Sequence, residues 1–336
     1  GAGATMSAAD SAVARVAERS RAVRTGLWRL LFGDRVALAL FLGGLCFFGL
    51  YWRMGIYITD GSGLANTLVN VADGRVVLTD APYGSGLDAP GTYLAGEGRP
   101  VGRNYGIAVP AALVLYALTG LAAVLDLSVV LIAAWSLTLL GTTTVLGRVS
   151  DRRWLVVAGS ALAVLAFLGN TALATPVAPE LHPILALQIT GMIAAALTGV
   201  FTYRLVAQLH PRRVAVAAGA AVLFATPVAF WAAILKRHSA TVLFVTATLY
   251  ALARSRTVTG AAAVRRCRAL AYVPVGLLAW VHAAEALLLF LPLVAVDLAT
   301  ASRNDRRTLA VLASAFALAL VPFFLTNYLL SGNPVE

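Results

Sequence analysis

The stretch "YGIAVPAALVLYALTGLAAVLDLSVVLIAAWSLTLLGTTTVLG", residues 105–147, decides the topology of this chain. It is two apolar runs back to back, parted by Leu125-Asp126-Leu127. If both runs cross a membrane, the basic segment that follows, "RVSDRR" (148–153), lands on the side opposite the N-terminus. Every later basic loop is then inverted with it. If the first run, 106–125, lies along the interface or re-enters, "RVSDRR", "YRLVAQLHPRR" (203–213), "RSRTVTGAAAVRRCR" (254–268) and "SRNDRR" (302–307) share one side with the basic N-terminus. Lys/Arg bias sets orientation in membrane proteins, so four basic clusters on one side favour the second arrangement. Pro110, Gly106 and Gly120 suit an interfacial helix.

The membrane reading rests on composition. Of 336 residues, 60% are hydrophobic and 12% charged, and the mean hydropathy is +0.83. Apolar runs recur that are long enough to cross a hydrocarbon core of ~30 Å. Helices are the element that satisfies its own backbone there. The alternation of an outer-membrane barrel is absent. The net charge of +11 comes from arginines clustered between the runs; it reads as a positive-inside signal and not as a nucleic-acid surface.

The expected fold is thus an all-α polytopic membrane protein. Nine transmembrane helices are expected at roughly 36–52, 127–146, 154–170, 184–203, 214–231, 239–253, 269–281, 284–299 and 308–330. Residues 1–35 read as a cytoplasmic basic interfacial segment anchored by Trp28, 36–330 as the transmembrane domain, and 331–336 as an external tail. Within the domain, 55–125 forms a long first external loop ending in the interfacial helix. The run 269–299 is too long for one ordinary span and is split at "WVHAAE" (280–285). Cys46 and Cys267 are expected at different depths, unpaired. No cleavable signal peptide is expected. The localisation that follows is a multi-pass cell-membrane protein with a cytoplasmic N-terminus.

This topology gathers the unusual polar residues on the external face. The turn "KRHS" (236–239) holds Lys236, the only lysine in the chain, with Arg237 and His238. Cations on the side that the positive-inside rule disfavours suggest a function, and Lys and Arg are good phosphate ligands. The plainer reading is that both snorkel at a span end. His282 and Glu285 occupy another external turn, and Glu180 and His182 a third. The first loop carries Asp60, Asn66, Asn70, Asp73, Asp80, Asp88, Glu97, Arg103, Asn104 and Tyr105. Asp60 stands before a short helix-like run (Leu64, Leu68, Val71). It suits an N-cap or, equally, a general base on an acceptor hydroxyl.

The same residues carry a resemblance. "YITDGSGLANTLVNVADG" places an acid early in the first external loop. "GRPVGRNYGIAVPAALVLYALTG" leads into an apolar external helix. "KRHSATVLFVTATLYALAR" is a histidine turn before a span, and "GLLAWVHAAEALLLFLPLV" resembles paired short helices with a polar apex. Together they resemble the GT-C-type polytopic membrane glycosyltransferases, the protein O-mannosyltransferase-like group. The resemblance implies transfer of a sugar from a polyprenyl-phosphate donor to an acceptor on the extracytoplasmic face. It implies Asp60 as catalytic base, and Lys236, Arg237, His238, His282, Glu285, Tyr105 and Arg103 around the substrates; Glu180 and His182 join that set by their place on the external face. No metal or cofactor is called for. The partners implied are the lipid-linked sugar and membrane lipids. Gly61 stands where the family often has a second acid, and "TNYLLSGNPVE" reads as an external segment cut short relative to it. Those departures keep a non-catalytic scaffold with a protein partner as one alternative. A lipid or solute transporter or flippase is another, and a metal enzyme using His182, His238 and His282 a third.

Overall fold

The computed structural model describes Gly26 and residues 28–95 and 98–334. Most of the 1–35 segment, Glu97 and the last two residues of the 331–336 tail lie outside the described residues. The described residues are mostly helical: α1 (Arg35–Leu50), α2 (Gly61–Ala72), α3 (Tyr105–Ala122), α4 (Leu127–Val149), α5 (Arg153–Ala172), α6 (His182–Val206), α7 (Arg212–Phe224), α8 (Val228–Ala232), α9 (His238–Thr257), α10 (Ala261–Thr300) and α11 (Arg306–Ser331). The described strands, β1 (Tyr93–Ala95) and β2 (Arg99–Val101), pair antiparallel as a small hairpin.

Helix starts follow local chemistry. Asp34 accepts the Ala37 N–H at 2.9 Å ahead of α1, Asp126 the Ser128 N–H at 2.8 Å ahead of α4, and Asp305 the Thr308 N–H at 2.9 Å ahead of α11. Each is an aspartate cap satisfying a donor the helix leaves orphaned. Asp60 holds the same position before α2 but makes no cap bond; its backbone is already helical (φ −76°, ψ −1°). Of the two roles open to Asp60, the cap is therefore not formed.

Among the described residues six helical segments are long and apolar enough to cross a membrane: α3, α4, α5, Pro179–Val206, α10 and α11. Length and composition do not confirm the expected count of nine. α1 is a shorter apolar helix of 16 residues. The expected span 214–231 is broken after Phe224, and α8 restarts beyond Pro227, whose ring cannot continue α7. The break in "WVHAAE" is present: His282 (φ −161°, ψ 104°) interrupts the 40 residues of α10.

Helix α6 is the hub. It packs on α1 and α7 through a cluster including Phe48, Val200 and Leu223, and on α2 and α3 through a second including Leu68, Leu115 and Leu185. A Cβ at Gly219 would lie 2.9 Å from the Gly199 carbonyl oxygen. Glycine lets α6 and α7 close to backbone contact, the usual way membrane helices gain packing. A third cluster joins α9, α10 and α11.

The bundle has two ends. At one, Gln188 of α6 donates to the Ala233 and Arg53 carbonyls and accepts from Trp52 Nε1, all at 2.9 Å. At the other, Arg204 of α6 donates to the Tyr250 hydroxyl at 2.6 Å. Helices α6 and α9 therefore run parallel, and Trp52, Lys236 and His238 share the first end. Both ends of α3 also belong to that end. Arg103, just before α3, bonds Asp60. Just after it, Ser128 Oγ donates to the Thr175 carbonyl of the α5–α6 connection at 2.7 Å. The basic clusters at 148–153, 203–213, 254–268 and 302–307 fall at the opposite end.

Candidate functional site

The turn between α8 and α9 is fixed by its own residues. Leu235 is buried in the core. Ser239 Oγ donates to the Trp231 carbonyl at 3.0 Å, and His238 stands edge-on to the Trp231 ring, 4.3 Å between centroids. Burial and the neighbouring Arg237 guanidinium hold the His238 imidazole below its ordinary range, with Lys236 acting the same way and Glu285 and Asp60 opposing.

With Leu235 pinned, Lys236 meets Asp60. The start of α2 reaches it because Gly61 has no side chain: a Cβ there would press on Ile56 and Leu235 at 3.2 and 3.3 Å. Lys236 Nζ donates to Asp60 Oδ2, and Arg103 donates to the same oxygen at 3.0 Å. Arg103 is braced separately. It donates to the Tyr93 hydroxyl at 2.8 Å and lies 5.5 Å from that ring's centroid. Asp60 Oδ1 is buried with no hydrogen-bond partner.

A second ion pair stands beside the first. Arg237 Nε donates to Glu285 Oε1 at 2.8 Å and Thr241 Oγ1 to Oε2 at 2.6 Å. Glu285 is placed by the break in α10. His282 is extended, and its Nδ1 accepts the Glu285 N–H at 3.4 Å, so it caps the restarted helix. Three cations, Arg103, Lys236 and Arg237, face two carboxylates in these groups.

An apolar cavity of about 180 Å³ opens alongside, walled by α3, α6 and α9, with Ile107, Leu187 and Phe244 among its lining. Lys236 is the one charged residue on its wall.

Asp60, Arg103, Lys236, Arg237, His238, His282 and Glu285 are thus gathered at one end. Tyr105 does other work. Its hydroxyl donates to the Val76 carbonyl at 2.6 Å and accepts the Gly102 N–H at 3.2 Å, in the interior. Glu180 is exposed in a 3₁₀ turn, where its backbone carbonyl accepts from Tyr83, and His182 is buried at the start of α6. Neither takes part in the Asp60 and Glu285 ion pairs. Asn66 and Asn70 are fully buried and hold the 79–83 backbone onto α2. Among the described residues, no three His, Cys, Asp or Glu side chains gather as a metal site requires.

Thr241, Tyr93 and Gln188 were not legible as site neighbours, since nothing in local spacing distinguishes them. A buried ion network at the opposite end was also missed. Asp297 lies within an expected span and is fully buried. It accepts from Arg268 Nε at 3.0 and 3.1 Å and Nη2 at 2.9 Å, from Arg256 at 2.8 Å and from the Tyr272 hydroxyl at 3.0 Å. The signal was available: Arg268 and Asp297 stand almost symmetrically about His282, as facing residues of a helical hairpin do.

No family model, curated protein or solved structure matches this chain.

Proposed function

We propose that this protein is a membrane glycosyltransferase that takes a sugar from a polyprenyl-phosphate donor at the end of the bundle carrying Asp60. The observation that carries the reading is the apolar cavity whose single charged wall residue is Lys236, with Arg103 and Arg237 beside it. An amphiphile with an anionic head and an isoprenoid tail matches both features. Cations held at a partly buried site stabilise a departing phosphate without metal chemistry.

In the reaction, the acceptor oxygen forms a bond to the anomeric carbon. The bond from that carbon to the phosphate oxygen breaks, and its electron pair stays on the phosphate. The acceptor's proton passes to the Asp60 carboxylate. His282, its Nδ1 committed to the Glu285 N–H, keeps Nε2 as a donor when neutral. The basic clusters at the far end of the bundle favour a site on the extracytoplasmic side.

The double pairing of Asp60 favours a second reading, a non-catalytic protein in which these ions only tie α2 to α9. Reconstituted protein supplied with radiolabelled polyprenyl-phosphate sugar and a hydroxyl acceptor separates the two. Transfer supports the enzyme. Absence of both transfer and polyprenyl-phosphate binding supports the scaffold. Replacing Lys236 and Arg237 with Gln should weaken binding by ~1.5–3 kcal/mol per lost contact and flatten its salt dependence.

A further inference from the structure

The two carboxylates of the site are not held alike. Glu285 uses both oxygens, one on Arg237 and one on Thr241. Asp60 uses only Oδ2, which takes both Lys236 and Arg103, while Oδ1 is buried with no partner. An acceptor hydroxyl therefore cannot reach Oδ1 where it lies, and Oδ2 already serves two donors.

The backbone of Lys236 and the guanidinium of Arg103 are placed independently of Asp60. Lys236 follows the buried anchor Leu235, and its own N–H bonds the Ile234 carbonyl at 2.7 Å. Arg103 is braced on Tyr93. If Asp60 lets go, the Lys236 ammonium and the Arg103 Nη2 are released for another anion, while Arg103 Nη1 stays on Tyr93. Asp60 is tied mainly by what it binds: it makes no cap bond to α2.

We propose that Asp60 is the resident counter-ion of this site. The phosphate of the donor replaces it on Lys236 and Arg103, and the carboxylate is freed to accept the hydroxyl proton only once the donor is seated. The proposal rests on the donor reading above and adds an order to it: donor first, acceptor second. It also makes Asp60 an obstacle to donor binding. The loss of an incumbent with the ligand's own charge relieves a competition that each binding event otherwise has to overcome.

Polyprenyl phosphate titrated into the purified protein in nanodiscs tests this, with wild type, Asp60→Asn and Lys236→Gln compared by Trp fluorescence. Asp60→Asn should bind roughly tenfold tighter than wild type, the scale of one charge-assisted contact. Lys236→Gln should bind roughly tenfold weaker. Asp60→Asn binding equally or more weakly, with Lys236→Gln still impaired, keeps the donor reading and overturns the exchange. Lys236→Gln binding like wild type, or no binding by any of the three, overturns both. Should Asp60→Asn fail to fold, Asp60→Ser reads the same competition.

Discussion

At Asp60 the local sequence and the tertiary neighbours compete, and the neighbours win. A carboxylate one residue ahead of a helix is ordinarily a cap, yet here it is turned onto Lys236 and Arg103. Asp60→Asn and Asp60→Ala should then differ little in thermal stability, because no cap is lost in either. Both should slow transfer by roughly 10²–10⁴, the usual cost of removing a general base. A stability gap between them of ~1 kcal/mol, the worth of a cap, would restore the capping role. His282 is the reverse case. Its Nδ1 does cap, so His282→Ala should cost ~1 kcal/mol in thermal unfolding while His282→Asn recovers most of it. His238 adds a pH dependence. Its folded pKa is depressed, so the unfolded chain binds more protons between that value and the ordinary one near 6.5. Stability should therefore fall as pH drops through about 6.5, and a His238→Gln protein should show a shallower decline over the same range.

At the scale of elements, α10 is two helices facing each other across His282, and the Arg268–Asp297 pair locks their far ends together. Arg256 of α9 joins the same carboxylate. Removing the acid leaves two guanidinium groups, one fully buried, without their counter-ion. Asp297→Ala should destabilise the protein by roughly 3–5 kcal/mol, measured as unfolding in detergent. A change below 1 kcal/mol would mean that water replaces the carboxylate there. The first turn of α3 is held against α10 in another way, by the absence of a side chain at Gly106. A Cβ would lie 2.9 Å from Val281 Cγ2 and 3.0 Å from the Trp280–Val281 backbone, which cannot give way cheaply.

For the whole molecule, the informative feature is the sorting of charge between the two ends. Arginines gather where α4 meets α5, α6 meets α7, α9 meets α10 and α10 meets α11. The loops at the opposite end carry the carboxylates and the lone lysine of the candidate site. Cysteine introduced at Ser150 should label from the cytoplasm only, and at Ser85 from outside only, both in a Cys267→Ser background. Ser150 and Ser85 are exposed, so access and not burial decides the result. Labelling of Ser150 from outside would mean that the orientation is inverted and that the donor approaches from the cytoplasm.

The sequence by itself determined the class of the protein, since 60% hydrophobic residues and 12% charged leave a helical membrane bundle as the consistent solution. It also determined the start of α1, α4 and α11, because Asp34, Asp126 and Asp305 act on donors two or three residues away. The break at His282 was readable from length, and the gathering of the basic loops at one end of the bundle from their clustering. The division of 214–231 at Pro227 was not foreseen, although proline is a local signal. Only the tertiary structure decided what the polar residues do. Asp60 and Lys236 are 176 positions apart, and Arg237 and Glu285 48. Whether a carboxylate caps, pairs or stands free depends on which cation the packing of α2, α9 and α10 delivers to it, and no local pattern encodes that delivery.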